Sequence, residues 1–167
     1  MPINEADVCE RRIQRRGIIL AYTNAISSYR ETRVKTASQG QLIIMLYEEA
    51  VKHLDRGLEL LSLNAGGKTN PGNIEKISKS ILKAQEIITE LTVSLDFEQG
   101  GDIAKNLFSL YTWFNKELLE ANIHHDVQRI MMVRNQLNEL KTAWAEIVAK
   151  NSSENAGKAV TGVNIAG

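Results

Sequence analysis

The chain has 167 residues, 43% of them apolar and 24% charged, with 20 Lys/Arg against 20 Asp/Glu. That length fits one domain, and a formal net charge of zero excludes a strong overall field for nucleic acid. No run approaches the roughly 20 apolar residues of a membrane span, and Cys9 is the only cysteine, so no internal disulfide can form.

The N-terminal stretch is the basic part. Residues 1–35 carry seven of the Lys/Arg and four of the Asp/Glu. Arg11, Arg12, Arg15 and Arg16 stand before the apolar run Gly17 to Tyr22, which is shorter than the roughly 7–15-residue core of a signal peptide. Cytoplasmic residence is expected. Ile18, Tyr22, Ala25, Ile26 and Tyr29 could form a short helix, and Thr32–Ser38 reads as an extended link, so residues 1–37 are taken as an extension and arm.

The first long helix is expected over about 39–63. Ser38 followed by Gln41 is a capping-box pattern. Ile43, Tyr47, Ala50, Leu54 and Leu61 form one inward stripe, yet Leu42, Ile44, Met45, Leu46, Val51 and Leu58 are apolar on other faces. NAGGKTNPG, Asn64 to Gly72, is a loop by composition. The second helix starts near Asn70–Pro71, and Ile74, Ile77, Ile81, Ala84, Ile88, Leu91 and Leu95 make a full heptad seam. FEQGGD, Phe97 to Asp102, breaks the pattern. The third helix follows with Ala104, Leu107, Tyr111, Phe114, Leu118 and Ala121. After a turn at His124–His125, with Asp126 as N-cap, the fourth shows Ile130, Val133, Leu137, Leu140, Trp144 and Ile147. Four such helices with short connections predict an all-α, antiparallel up-down four-helix bundle over 38–150, with an N-terminal arm or short extra helix. Residues 151–167 lack helical periodicity and read as a mobile tail.

The chemical motifs are weak. A di-iron bundle needs Glu-x-x-His pairs, and Glu49–His53 and Glu120–His124 are spaced by four. AGGKT, Ala65 to Thr69, lacks the first glycine and the preceding strand of a phosphate-binding loop. His124–His125–Asp126 has no further recognisable ligand, and Cys9 no evident catalytic partner. No catalytic residue, metal or cofactor is therefore assigned, and the chain is not read as an enzyme. The arginine cluster reads as a solvated helix face, with no aromatic residue interleaved for base stacking; no nucleic-acid partner is expected. The surplus of apolar residues is the informative feature: Phe108, Leu110, Trp113, Leu119 and Ile123 lie partly off the third seam, and Met131 and Met132 add adaptable apolar surface on the fourth. They are either core, or buried under the N-terminal arm, or a groove for another amphipathic helix.

Three ordered blocks carry a resemblance: Tyr29 with VKTASQGQLIIMLYEEA from Val34, KAQEIITELTVSLDFEQGGDIAKNLFSLY from Lys83, and ELLEANIHHD from Glu117 with Ala143–Trp144 beyond. Over about Ile26 to Lys150 the chain resembles the flagellin export chaperone family, FliS. Gln39 and Glu49 depart from its pattern, and residues 1–24 have no counterpart in it. The resemblance implies a non-enzymatic cytoplasmic chaperone. It would bind the disordered C-terminal segment of flagellin, prevent early polymerisation, and help deliver its client to a component of the flagellar type III export gate. It implies Ile26, Tyr29, Leu42, Met45, Leu46, Tyr47, Phe108, Leu110 and Tyr111 as flagellin-binding residues, with an arm at Ile26–Tyr29 that covers part of the groove and is displaced by flagellin. The alternative is a helical regulatory or scaffold module for a different amphipathic partner helix. Exchange of an arm or helix through the long loops leaves a homodimer open.

Overall fold

The computed structural model describes residues 38–65 and 70–161, with side chains to 157. Four α-helices follow in order: α1 (Gln39–Asn64), α2 (Pro71–Val93), α3 (Phe97–His124) and α4 (Val127–Thr161). No strand occurs among the described residues, and none of their helices is long and apolar enough to cross a membrane. The N-terminal arm, the arginine cluster, Cys9 and the GGKT of the first loop lie outside the described residues.

Each helix start has a chemical cause. The Ser38 hydroxyl accepts from the Gln41 amide at 3.3 Å, and Leu42 donates to the Ser38 carbonyl at 3.0 Å. Asn70 caps α2 by accepting from the Gly72 amide, with Pro71 placed where a helix needs no N–H. Asp96 caps α3 through the amides of Glu98 and Gln99. Asp126 caps α4 through those of Gln128 and Arg129. The Asp126 cap is as the sequence predicts. Between α3 and α4, His125 takes the left-handed conformation at φ 53° and ends α3 with a backbone bond to Ala121.

Cross-helix contacts set the topology. Asn73 donates to Asn64 between α2 and α1. Ser78 bonds Asn122, and Gln85 donates to the Asn115 carbonyl, between α2 and α3. Arg129 reaches Glu117 between α4 and α3, and Arg134 holds both oxygens of Asp55 between α4 and α1. Pairs that descend on one helix as they ascend on its neighbour make the helices antiparallel, an up-down bundle with α1 diagonal to α3. Backbones approach closest along α2–α3 and α3–α4, while α1 stands further off.

The seams face inward as their spacing predicts. Tyr47, Ala50, Leu54, Ile77, Ile81, Ala84, Ile88, Phe114, Leu118, Ala121, Ile130, Val133 and Leu137 are fully buried. Ile43, Leu61, Ile74, Leu95, Leu107, Leu140 and Trp144, nearer the ends, are half-buried.

Three local expectations are corrected. The break at FEQGGD is narrower than the sequence suggests: Asp96 starts a helical turn at Phe97, and only Gly101, at φ 50° and ψ −125°, leaves helical geometry. Only glycine takes that conformation without strain, so the chain kinks there. Ile147, the last residue of the fourth seam, is 49% exposed, where the described residues level with it are the kinked start of α3. Finally, α4 runs to Thr161 where residues 151–167 show no apolar periodicity. The side chains of 151–157 are all exposed, so this part stays helical without a buried face.

Candidate functional site

The core leaves two tyrosines joined by their hydroxyls. Tyr47 of α1 and Tyr111 of α3 share a hydrogen bond, with ring centroids 6.4 Å apart. The Trp144 side chain stands near the Tyr47 hydroxyl. Burial raises both phenol pKa values; the bond with Tyr111 and the nearby Trp144 oppose the rise at Tyr47, whereas the neighbouring Tyr47 adds to it at Tyr111. Two of the sequence-assigned binding residues are therefore bonded to each other inside the bundle.

The other titratable groups are structural. Burial holds His53 below the usual imidazole range, Glu49 pulls the other way, and Lys83, Lys52 and Arg56 add to the depression. Its neighbour Glu49 pairs with Lys52. Glu120 and His124 make a surface pair at 3.5 Å. Among the described residues no group of His, Cys, Asp and Glu could hold a metal ion.

What remains is apolar surface, concentrated on α3. Phe108, Leu119 and Ile123 are 45%, 51% and 61% exposed. They share the flank of α3 that turns toward α2, since Asn115 and Asn122 on that side bond Thr89, Gln85 and Ser78. Across the groove, Leu82 follows Ser78 by one turn and lies level with Leu119, while Val93 follows Thr89 by one turn and lies level with Phe108. Both are exposed. Phe97 packs edge-on against Phe108 at 5.9 Å. The opposite flank of α3, beside α4, carries half-buried Leu110 and Trp113 and the most exposed apolar residue of the bundle, Ile103. Met132 on α4 is exposed near the level of Trp113.

The sequence-assigned residues thus separate. Phe108 is on the α2 side of α3 and Leu110, two residues on, is on the α4 side, because residues two apart do not share a face. Leu42, Met45 and Leu46 are half-buried on α1, and Ile26 and Tyr29 lie outside the described residues. Sequence reasoning missed Leu82, Val93, Phe97 and Ile103. For Leu82 and Val93 the signal was present, as apolar residues off the α2 heptad.

The described residues thus form a helical bundle with a buried core and apolar flanks on α3. Over residues 22–151 the chain matches the family model of the Flagellar protein FliS, and it belongs to that family. It is 36% identical to the Flagellar secretion chaperone FliS of Salmonella typhimurium over 73% of this chain and 85% of the relative. It is 34% identical to that of Escherichia coli over 70% and 80%. Similarity to the Bacillus subtilis relative is lower, 22%, but extends over 83% of this chain and 96% of that one. The family is one of flagellar chaperones, not enzymes.

Proposed function

We propose that this chain is a cytoplasmic export chaperone that binds the disordered C-terminal segment of flagellin, keeps it from polymerising early, and assists its delivery to the flagellar type III export gate. The observation that carries the reading is the apolar surface on both flanks of α3, with Phe108, Leu119 and Ile123 exposed on one side and Ile103 exposed beside half-buried Leu110 and Trp113 on the other. Patches of this kind mark interaction sites. A disordered client that folds onto them loses several kcal/mol to ordering, about 2–5 or more, so a long double-sided contact suits it better than one small pocket. Ile26, Tyr29, Leu42, Met45 and Leu46 remain proposed flagellin contacts on the family resemblance. Tyr47 and Tyr111 act from inside, by holding α1 and α3 in place.

Calorimetric titration with a flagellin C-terminal peptide of about 40 residues tests this; one-to-one binding with a large negative heat-capacity change is expected. Phe108→Asp and Leu119→Asp place a carboxylate on surface that the client would cover. Each is expected to weaken binding by about tenfold or more, while thermal melts stay near the parent's because both positions are half in solvent. Full affinity in both variants, or no heat with the unsubstituted protein, overturns the reading.

A further inference from the structure

The groove between α2 and α3 has a definite pattern along its length. At one end Val93, Phe97 and Phe108 are exposed together, with the two phenylalanine rings in contact. At the other end Leu82, Leu119 and Ile123 are exposed. Phe108 and Leu119 are about three turns apart, roughly 16 Å at 1.5 Å per residue. Between these ends the groove is polar. Thr89 donates to the Gln85 carbonyl, the Asn115 amide donates to Thr89, and the Gln85 amide donates to the Asn115 carbonyl. Two groups in this waist are left over. The Asn115 Oδ1 atom is buried without a hydrogen-bond partner among the described residues. Lys116, one turn after Thr112 and one turn before Leu119 and Glu120, is exposed and has no ion-pair partner among them. Other lysines on these two helices differ: Lys79 pairs with Glu75 and Lys105 with Asp102, each on its own helix.

We propose that the α2–α3 groove takes an amphipathic helix with two apolar anchor clusters about three turns apart and, between them, a carboxylate about two turns from the Phe108 anchor and one turn from the Leu119 anchor, which pairs with Lys116. The inference rests on the chaperone reading and specifies which part of the client this groove selects. The apolar ends supply most of the contact. The lysine fixes register, since a helix shifted by one turn would bring an apolar residue against the ammonium or leave its own acid over Leu119. An ammonium at the rim of solvent contributes little, but once a client covers the waist it is partly desolvated and its pairing counts for more.

The test titrates the full chain and its variants with the flagellin C-terminal peptide at low and high salt. Lys116→Glu is expected to weaken binding by about tenfold, by replacing an attraction with a repulsion. Lys116→Met should lose only a few-fold and should flatten the salt dependence. Reversing the matching acid of the peptide to lysine should restore binding to Lys116→Glu. If Lys116→Glu binds as the parent does while Phe108→Asp loses binding, the inference is overturned and the chaperone reading stands. If the unsubstituted chain takes no peptide, both fall. If Leu119→Asp converts a dimer to a monomer, seen by sedimentation, and leaves peptide affinity unchanged, a second copy occupies the groove and the inference is likewise overturned.

Discussion

Phe114→Ala is expected to remove about 3–5 kcal/mol of folding stability, the usual range for deleting a buried aromatic ring. Phe114 is fully buried in the middle of α3, with its ring centroid 6.3 Å from that of Tyr111 and 5.8 Å from that of Trp113. α3 is the helix against which both α2 and α4 pack most closely, so the cavity opens where neighbouring backbones are least able to collapse. Against a total of about 5–15 kcal/mol the loss is a large fraction. It should appear as a fall in thermal midpoint of roughly 10 °C or more for a chain of this size. Phe108→Ala on the same helix is the control. Its ring is 45% exposed and should cost about 1 kcal/mol, because much of its apolar area is in water already. Equal losses in the two variants would contradict this division of α3 into an inner and an outer face.

The second large effect concerns the tyrosine pair. Tyr47→Phe leaves the Tyr111 hydroxyl buried with its partner gone, at a cost of about 1–3 kcal/mol. Tyr111→Phe likewise leaves the Tyr47 hydroxyl buried with its hydrogen-bond partner gone. The double Phe variant should lose less than the sum of the singles, and the difference measures the pair's coupling. The pair also carries a pH signature. Both phenols have pKa values raised above 10 by burial in the folded chain, so the folded state holds these protons after the unfolded chain has released them. Their contribution is complete below about pH 10, where unfolded tyrosine titrates, and is lost as the pH rises further. Urea midpoints measured from pH 8 to 11.5 should fall steeply above 10 in the parent and less steeply in the double Phe variant. Parallel curves would show that the pair does not set the alkaline limit.

Much of the bundle was legible in the residues because its interior follows a simple rule. The α2 heptad from Ile77 to Leu91 is buried at every seam position, and the residues between are polar except Leu82 and Ile87. The caps at Ser38 and Asp126 were legible for the same local reason, a side-chain oxygen placed to meet free amides. What periodicity could not show was where a seam stops being buried. Ile147 repeats correctly but is exposed, and nothing in its own helix records that. Nor could it show that Phe97 belongs to a capped turn ahead of Gly101, since two adjacent glycines look like an end rather than a kink. The binding surface was half legible. Residues off the seams on α3 were visible as surplus, but whether such a residue is exposed, like Phe108, or half-buried, like Leu110, depends on which neighbouring helix stands beside it. Tyr47 and Tyr111 show the limit of a family motif: a residue can belong to it and still be turned wholly inward.

The wider spacing of α1 has a consequence for the order in which the molecule comes apart. α2, α3 and α4 are neighbours in sequence, joined by short turns and closely packed along two of their contacts, and are expected to persist as a unit when the bundle opens. α1 approaches their backbones less closely and is held by Tyr47, Ala50, Val51, Leu54 and the Asp55 carboxylate in the grip of Arg134. Its amide protons should therefore exchange with solvent through an opening smaller than global unfolding, ahead of those at the centre of α3. Among the described helices, the one expected to open first is thus α1, and the one expected to persist longest, α3, lies at the groove.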